Sequence, residues 1–438
     1  MSGAGRDGRP PHIIHVMEWL APIGGTEQVA TQLALAAKRR GGTVTVIACR
    51  PVRDRNRYAE ELGAGGVQVH SPSALRWGVL DGVLTAVSAV AQVALFPLAL
   101  VKRGGPRAAW SWLAREIAYC MVQPLQRRAH RRWLVRRLSA CGGSGALVQV
   151  HFYNHLACAA LAWAQQRGVP CIWHYHASMN PGLRAYYREI LSEDEVKTLG
   201  AADAVVVLAP CIAEGARDLL GPRASVHVIP NWVALPGVPR ELTEQETYTV
   251  GALGRLVPNK GFEDLIEALA LCRDRGNTVR CLVAGDGPLR GDLEALAARR
   301  EVQSEVEFVG PVPPDRVDDF LARLDVLVMP SLSEGMPMAV LQAMASGLPV
   351  VGTAVGGTAE LVRPGTSGLL VPPGDSAALA DALAELAGDP ERRRRMGEAG
   401  RAIVESQFTE SSVWPKWDVL YELLHEGSRG GKQPHAPE

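Results

Sequence analysis

The sequence predicts two Rossmann-like, doubly wound α/β domains in tandem. Three observations lead there. The 438 residues exceed what one compact core holds and suit two domains of roughly 200 residues each. Short apolar runs alternate with amphipathic segments in two separate series, the pattern of strands and helices in a parallel sheet. Between the series lies IPNWVALPGVPRELTEQE (229–246), Pro-rich and weakly periodic, which reads as a linker.

The first series begins with the strand HIIHVMEWL (12–20), passes a Gly24-Gly25 loop into a helix near Thr26 to Arg40, and returns as the strand TVTVIA (43–48). Thr26 is a candidate N-cap. Further apolar runs at 146–152, 170–175 and 203–208 complete a first domain over 12–228. The second series comprises TYTVGALGR (247–255), VRCLVAG (279–285), VEFVG (306–310), DVLVMP (325–330) and LPVVGT (348–353), giving a second domain over 247–408. Between the first two of these runs, Phe262, Leu265, Ile266 and Leu269 recur at helical spacing. A last helix is expected at 409–426, and the polar, Gly/Pro-rich ends 1–11 and 427–438 read as disordered tails.

Lys plus Arg and Asp plus Glu are 46 each, so no overall charge points to nucleic acid as a partner. The eight cysteines are scattered with no C-x-x-C, which reads as reduced thiols in a cytosol rather than a zinc site. The N-terminus lacks the apolar core of a signal peptide, so a cytoplasmic location is expected.

An apolar and basic helical insertion over 79–137 breaks the alternation. Residues 83–101 are almost uncharged and about long enough to cross a bilayer, but Gln92 and Pro97 weigh against a span. The following 102–137 holds ten Lys/Arg against the single acid Glu116. Such a pair of helices suits peripheral contact with the cytoplasmic membrane face; packing on the first domain is the alternative.

There is no G-x-x-x-x-G-K-[ST] loop, no G-x-G-x-x-G in the first domain, and no D-x-D pair to hold a cation against a diphosphate. Without a metal, a diphosphate needs side-chain cations and helix N-termini. The second domain offers both. Arg255 follows directly on a strand, and Lys260 comes five residues later at the start of the next helix. Taken alone, the two read more readily as a solvated loop. In PSLSEGMPMAVLQAMASGLPVVGTAVGGTAELV (330–362), a strand ends at Pro330, a loop carries Glu334-Gly335, and a helix begins near Pro337. The N–H groups at 335–338, those of Gly335, Met336 and Met338 among them, are expected to face the crevice at Arg255. Glu334 and Gln342 are expected on one side of that helix.

With VIPNWV (228–233), GRLVPNKGFEDLIEAL (254–269), AGDGPLRGDLEAL (284–296), VEFVGPV (306–312), GLLVPPGD (368–375) and IGGTEQVATQLALAAKRRGGTVTVI (23–47), this run resembles the retaining GT-B glycosyltransferases of family four, also called group 1. The resemblance implies that the two Rossmann-like doubly wound domains face each other across a cleft, that Arg255 and Lys260 meet the donor diphosphate and that Glu334 lies against the donor sugar. Gln342 stands where the family has a ribose-binding Glu; an amide can still pair with hydroxyls. Gly310 falls where the backbone meets the base, and Gly25 where the first domain approaches diphosphate and sugar.

His151 matches a family His that reaches the sugar; without the resemblance, a His at a strand end reads as structural. His174 and His176 are expected to face opposite ways on a strand, one of them lining the acceptor side. Asn231 departs from the family pattern in the residues that follow it.

The implied activity is metal-free and cofactor-free transfer of a hexosyl group from a nucleotide sugar, a UDP-sugar by default, to a small-molecule or lipid-linked acceptor. The competing readings are a non-catalytic GT-B subunit that binds a nucleotide sugar or a partner, and a GT-B phosphorylase or epimerase.

Overall fold

The computed structural model describes residues 12–20, 25–52, 56–74, 123–143, 145–177, 191–236 and 248–430. The apolar runs of the first series form a seven-stranded sheet: β1 (His12–Met17), β2 (Thr43–Ala48), β3 (Gln68–His70), β4 (Ala146–Val150), β5 (Cys171–His174), β6 (Ala204–Val207) and β7 (Val226–Val228). The second series forms β8 (Thr249–Leu253), β9 (Arg280–Ala284), β10 (Val306–Gly310), β11 (Val326–Met329), β12 (Val350–Thr353) and β13 (Gly368–Val371). The orders are β3-β2-β1-β4-β5-β6-β7 and β10-β9-β8-β11-β12-β13, every pairing parallel. Both sheets reverse direction next to their first strand, between β1 and β4 and between β8 and β11. Such switch points leave a crevice at the C-terminal strand ends.

The central strands are buried on both faces because helices cover both sides of each sheet, which is why they read as largely apolar runs. The helix Phe262–Asp274 buries Phe262, Leu265, Ile266 and Leu269, the stripe expected from their spacing. The first domain's helix runs Gly25–Arg39, so Thr26 lies inside it rather than at its cap.

Residues 229–236 depart from the linker expectation. Ile229, Asn231, Trp232 and Val233 are buried, and the Val233 N–H donates to the Phe408 carbonyl at 2.9 Å. Trp232 packs edge-on against Trp414, 6.3 Å between centroids, so its apolar bulk keeps the segment inside. The last helix spans Glu410–Gly430, overlapping the start of the expected tail, and returns from the second domain to the first. Its Trp414, Trp417 and Tyr421 join one core with β1, β4 and β5, and Tyr421 Oη donates to Gln149 Oε1 at 3.1 Å. Arg39 and Arg40 each meet Glu410 at 2.6 Å near its start.

The apolar run 83–101 lies outside the described residues. Among the described residues no helix is long and apolar enough to cross a membrane. The basic part of the insertion continues as a helix, Gln123–Cys141, past the expected boundary at 137. It precedes β4 and leads the chain from the edge strand β3 back to the sheet centre, a crossover that parallel strands require. Leu134 and Leu138 are fully buried, Trp163 Nε1 donates to Ser139 Oγ at 3.0 Å, and Arg128, Arg131, Arg132, Arg136 and Arg137 are exposed.

Beside it, His155 is pulled down to about 4, first by burial and then by Arg127 and His130. Since the folded value is below the ordinary one, the stability it confers is complete above about pH 6.5 and is lost as pH falls toward the folded value. Discounted for partial exposure, the effect is about 1 kcal/mol. Denaturant titrations across this window are expected to show a smaller acid loss for His155→Gln than for the parent; an equal loss would contradict the assignment.

Candidate active site

The switch point of the second sheet collects the expected donor-side residues. Arg255 follows β8 and is exposed. Lys260 closes a single 3-10 turn, Pro258–Lys260, ahead of the helix rather than within it. After β11 the loop brings Glu334 back over this turn, where Glu334 Oε1 accepts from Lys260 Nζ at 2.5 Å and from Ser331 Oγ at 2.7 Å. The Glu334 side chain is only 8% exposed and that of Lys260 24%. A carboxylate so enclosed needs a cation partner, so Lys260 is half-neutralised here and the net positive charge at the site falls to Arg255.

The helix starts at Met338, with Pro337 at its N-cap in extended conformation (φ −72°, ψ 119°). Glu334 therefore lies on the preceding loop, not on one helix face with Gln342, which is half-buried within Met338–Ala345. Pro337 has no N–H. Among the described residues the N–H groups of Gly335, Met336 and Met338 donate to no protein acceptor. Gly310 ends β10 at φ +79°, its carbonyl accepting from the Gly285 N–H at 2.8 Å.

The loop is fixed from three sides. Asn231 Nδ2 donates to the Met336 carbonyl at 3.1 Å, and the Thr353 hydroxyl donates to the Ser331 carbonyl. Gly357 N–H donates to the Gly335 carbonyl at 2.6 Å. At Gly335 itself a Cβ would overlap the His176 carbonyl, so only glycine lets the second domain's loop touch the first domain.

At the first sheet's switch point, β1 and β4 end beside a cleft of about 410 Å³. Arg255 supplies its wall from the second domain; Glu18, Glu27, Arg50, His151, His174 and His176 are among those from the first. Gly25 opens the helix behind it, with open space where a Cβ would go. Lys260, on its 3-10 turn, and Glu334, on the loop after β11, adjoin the cleft and are not among its wall residues.

His151 is 2% exposed and has both ring nitrogens engaged: Nε2 with His15 Nδ1 at 2.9 Å, Nδ1 with His176 Nε2 at 3.1 Å. It is the middle of a chain of imidazoles, and His176 is the member that reaches the half-exposed rim. The expectation that His174 and His176 face opposite ways fails: their rings lie 4.0 Å apart. Residues two apart in extended chain share a face. Burial pulls His15 and His176 down to about 3. It holds His151 and His174 well below the ordinary value too, with the neighbouring imidazoles adding to it.

The structure thus joins Arg255 and His151 in one cleft and pairs Lys260 with Glu334 next to it. Ser331, Asn231, His15, Gly356 and Gly357 were not assigned roles from sequence. The Gly356-Gly357 pair after a strand is a signal that could have marked a place of close backbone approach.

Two family models match the chain: Glycosyltransferase Family 4 over residues 23–235 and Glycosyl transferases group 1 over 239–403. A 2-deoxystreptamine glucosyltransferase of Streptomyces kanamyceticus is 32% identical over 210 residues, 48% of this chain and 52% of that protein. A GDP-mannose-dependent alpha-(1-6)-phosphatidylinositol monomannoside mannosyltransferase of Mycobacterium tuberculosis is 34% identical over 227 residues, 48% and 57% of the two chains. The chain spans about half the length of these curated relatives.

Among solved structures, Anabaena Alr3699/HepE in complex with UDP and glucose superposes with a TM-score of 0.68 at 19% identity, covering 95% of this chain and all of that one. TarM gives 0.70 at 12% identity, covering 94% and 98%. With two matched segments that together run from residue 23 to 403 on two parallel sheets of this order, the chain belongs to the group 1 glycosyltransferases of GT-B fold.

Proposed function

We propose that this chain is a retaining glycosyltransferase that moves a hexosyl group from a nucleotide sugar, a UDP-sugar in preference, to an acceptor hydroxyl. The observation that carries the reading is the conjunction of the exposed Arg255 with three uncommitted N–H groups, at Gly335, Met336 and Met338, beside one switch point. Donors held ready for an anion, at a helix start and beside a guanidinium, suit a diphosphate.

As the anomeric carbon parts from the β-phosphate, negative charge grows on the departing nucleoside diphosphate. Arg255 and the three N–H groups would stabilise it without reorganising, an effect worth several kcal/mol. Lys260 adds its charge by turning from Glu334 to a phosphate oxygen, while Glu334 keeps the Ser331 hydroxyl and meets the sugar. Gln342 pairs with the ribose, and Gly310 gives the base access to backbone. The leaving phosphate oxygen takes the acceptor's proton on the same face, which leaves no role for an enzymic nucleophile and keeps the anomeric configuration. His176, at the open end of the imidazole chain, contacts sugar or acceptor, with His151 holding it.

The UDP preference is supported by the solved neighbour bound to UDP and glucose, and a hexosyl group by the glucosyl- and mannosyltransferase relatives. The exposed arginines of Gln123–Cys141 support contact with an anionic membrane surface, at about 1 kcal/mol per basic residue, where a lipid-linked acceptor would be presented.

Thermal melting with UDP, GDP and ADP, followed by assay of sugar release from the matching nucleotide hexoses, tests the reading. A ligand of the folded state raises Tm. UDP is expected to give the largest rise; no rise with any of the three would contradict it.

A further inference from the structure

The imidazole cluster has a geometry that sugar transfer does not require. His151, His174 and His176 each place one ring nitrogen within 4.8 Å of the others. His151 Nδ1 and His176 Nε2 are 3.1 Å apart, close to the separation of about 3.3 Å between two nitrogens on one tetrahedral ion. The Nε2 of His174, a residue only 1% exposed, has no hydrogen-bond partner among the described residues. A buried imidazole nitrogen without a partner is costly and calls for an explanation. We propose that His151, His174 and His176 bind a divalent first-row transition ion, zinc or cobalt, with a fourth coordination position open to the cleft.

The groups behind the ligands fit this reading. A ligating histidine usually gives its second nitrogen to a polar group that fixes its tautomer and orientation. Behind His151 stands the fully buried His15, Nδ1 to Nε2 at 2.9 Å. Behind His174 stands the fully buried Gln149, 3.2 Å from Nδ1 and itself tied to Tyr421 Oη at 3.1 Å. With the Gln149 amide turned so that its oxygen faces His174, it accepts the Nδ1 proton and donates to Tyr421, leaving Nε2 bare for the ion. The cleft supplies the entry path, since all three histidines line it. Three neutral nitrogens and an open position suit zinc or cobalt better than magnesium or calcium, which take oxygen ligands.

The test uses the full chain, free of any affinity tag and stripped with a chelator, titrated with Co²⁺ and followed by its visible absorption. One equivalent with the intense bands of a four-coordinate site is expected, displaced by Zn²⁺. His174→Ala and His176→Ala should each weaken Co²⁺ binding by at least about tenfold, and Gln149→Leu by about tenfold. His227→Ala, whose imidazole is bound to Ser225 at 3.0 Å on β7, should bind as the parent does. Circular dichroism checks each fold, and should His174→Ala not fold, the half-exposed His176 decides. No saturable binding by the parent, or equal binding by the folded His176→Ala protein, would overturn the proposal. No sugar donor is present, so the outcome is independent of the transfer activity.

Discussion

Arg255→Ala is expected to lower kcat for sugar transfer by about 10²–10³, with Tm within about 2 °C of the parent. The residue is exposed at the end of β8 and lines the cleft, and it has no ion-pair partner among the described residues, so its removal leaves no buried group unsatisfied. Its loss falls on the transition state, where the diphosphate gains charge. Lys260 compensates only in part, because its turn toward a phosphate oxygen gives up the 2.5 Å pairing with the enclosed Glu334 carboxylate. Arg255→Lys should recover only part of the rate, a point charge lacking the two-pronged guanidinium. Single-turnover rates at saturating donor measure this. An unchanged kcat would remove Arg255 from the site.

Gly356→Ala is expected to cost about 3–5 kcal/mol and to abolish transfer in whatever folded fraction remains. Gly356 has φ +45°, and a Cβ there would overlap the Glu334 carbonyl. The obstacle is backbone, which cannot rotate aside as a side chain can. Relief requires the loop to move, carrying Glu334 from Lys260 and Ser331 and shifting the N–H groups of Gly335 and Met336. Guanidinium denaturation and the transfer assay read the two effects; parental stability with parental activity would contradict the packing.

Much of the fold was legible because a parallel strand buried on both faces leaves an unbroken apolar run. DVLVMP and LPVVGT contain β11 and β12, each buried throughout. The short edge strands Gln68–His70 and Val226–Val228, half-covered, leave no such run. The linker reading failed at Trp232 and Val233 because their burial is set by the C-terminal helix, far away in sequence.

Arg255, Lys260 and Glu334 were legible as charged residues after strands. Which of them would neutralise another was not, since the Lys260–Glu334 pair spans 74 positions. The engagement of both His151 nitrogens was likewise hidden, because His15 and His176 reach it from β1 and from beyond β5. The same-face placement of His174 and His176, in contrast, follows from extended-chain periodicity.

The proposed transfer requires a nucleoside diphosphate held between Arg255 and the free N–H groups at the start of Met338–Ala345. A crystal structure of the chain with UDP tests it most directly. Phosphate oxygens are expected within about 3 Å of the Arg255 guanidinium and of at least one of the Gly335, Met336 and Met338 nitrogens. UDP bound elsewhere, or bound here with Arg255 turned to solvent, would contradict it.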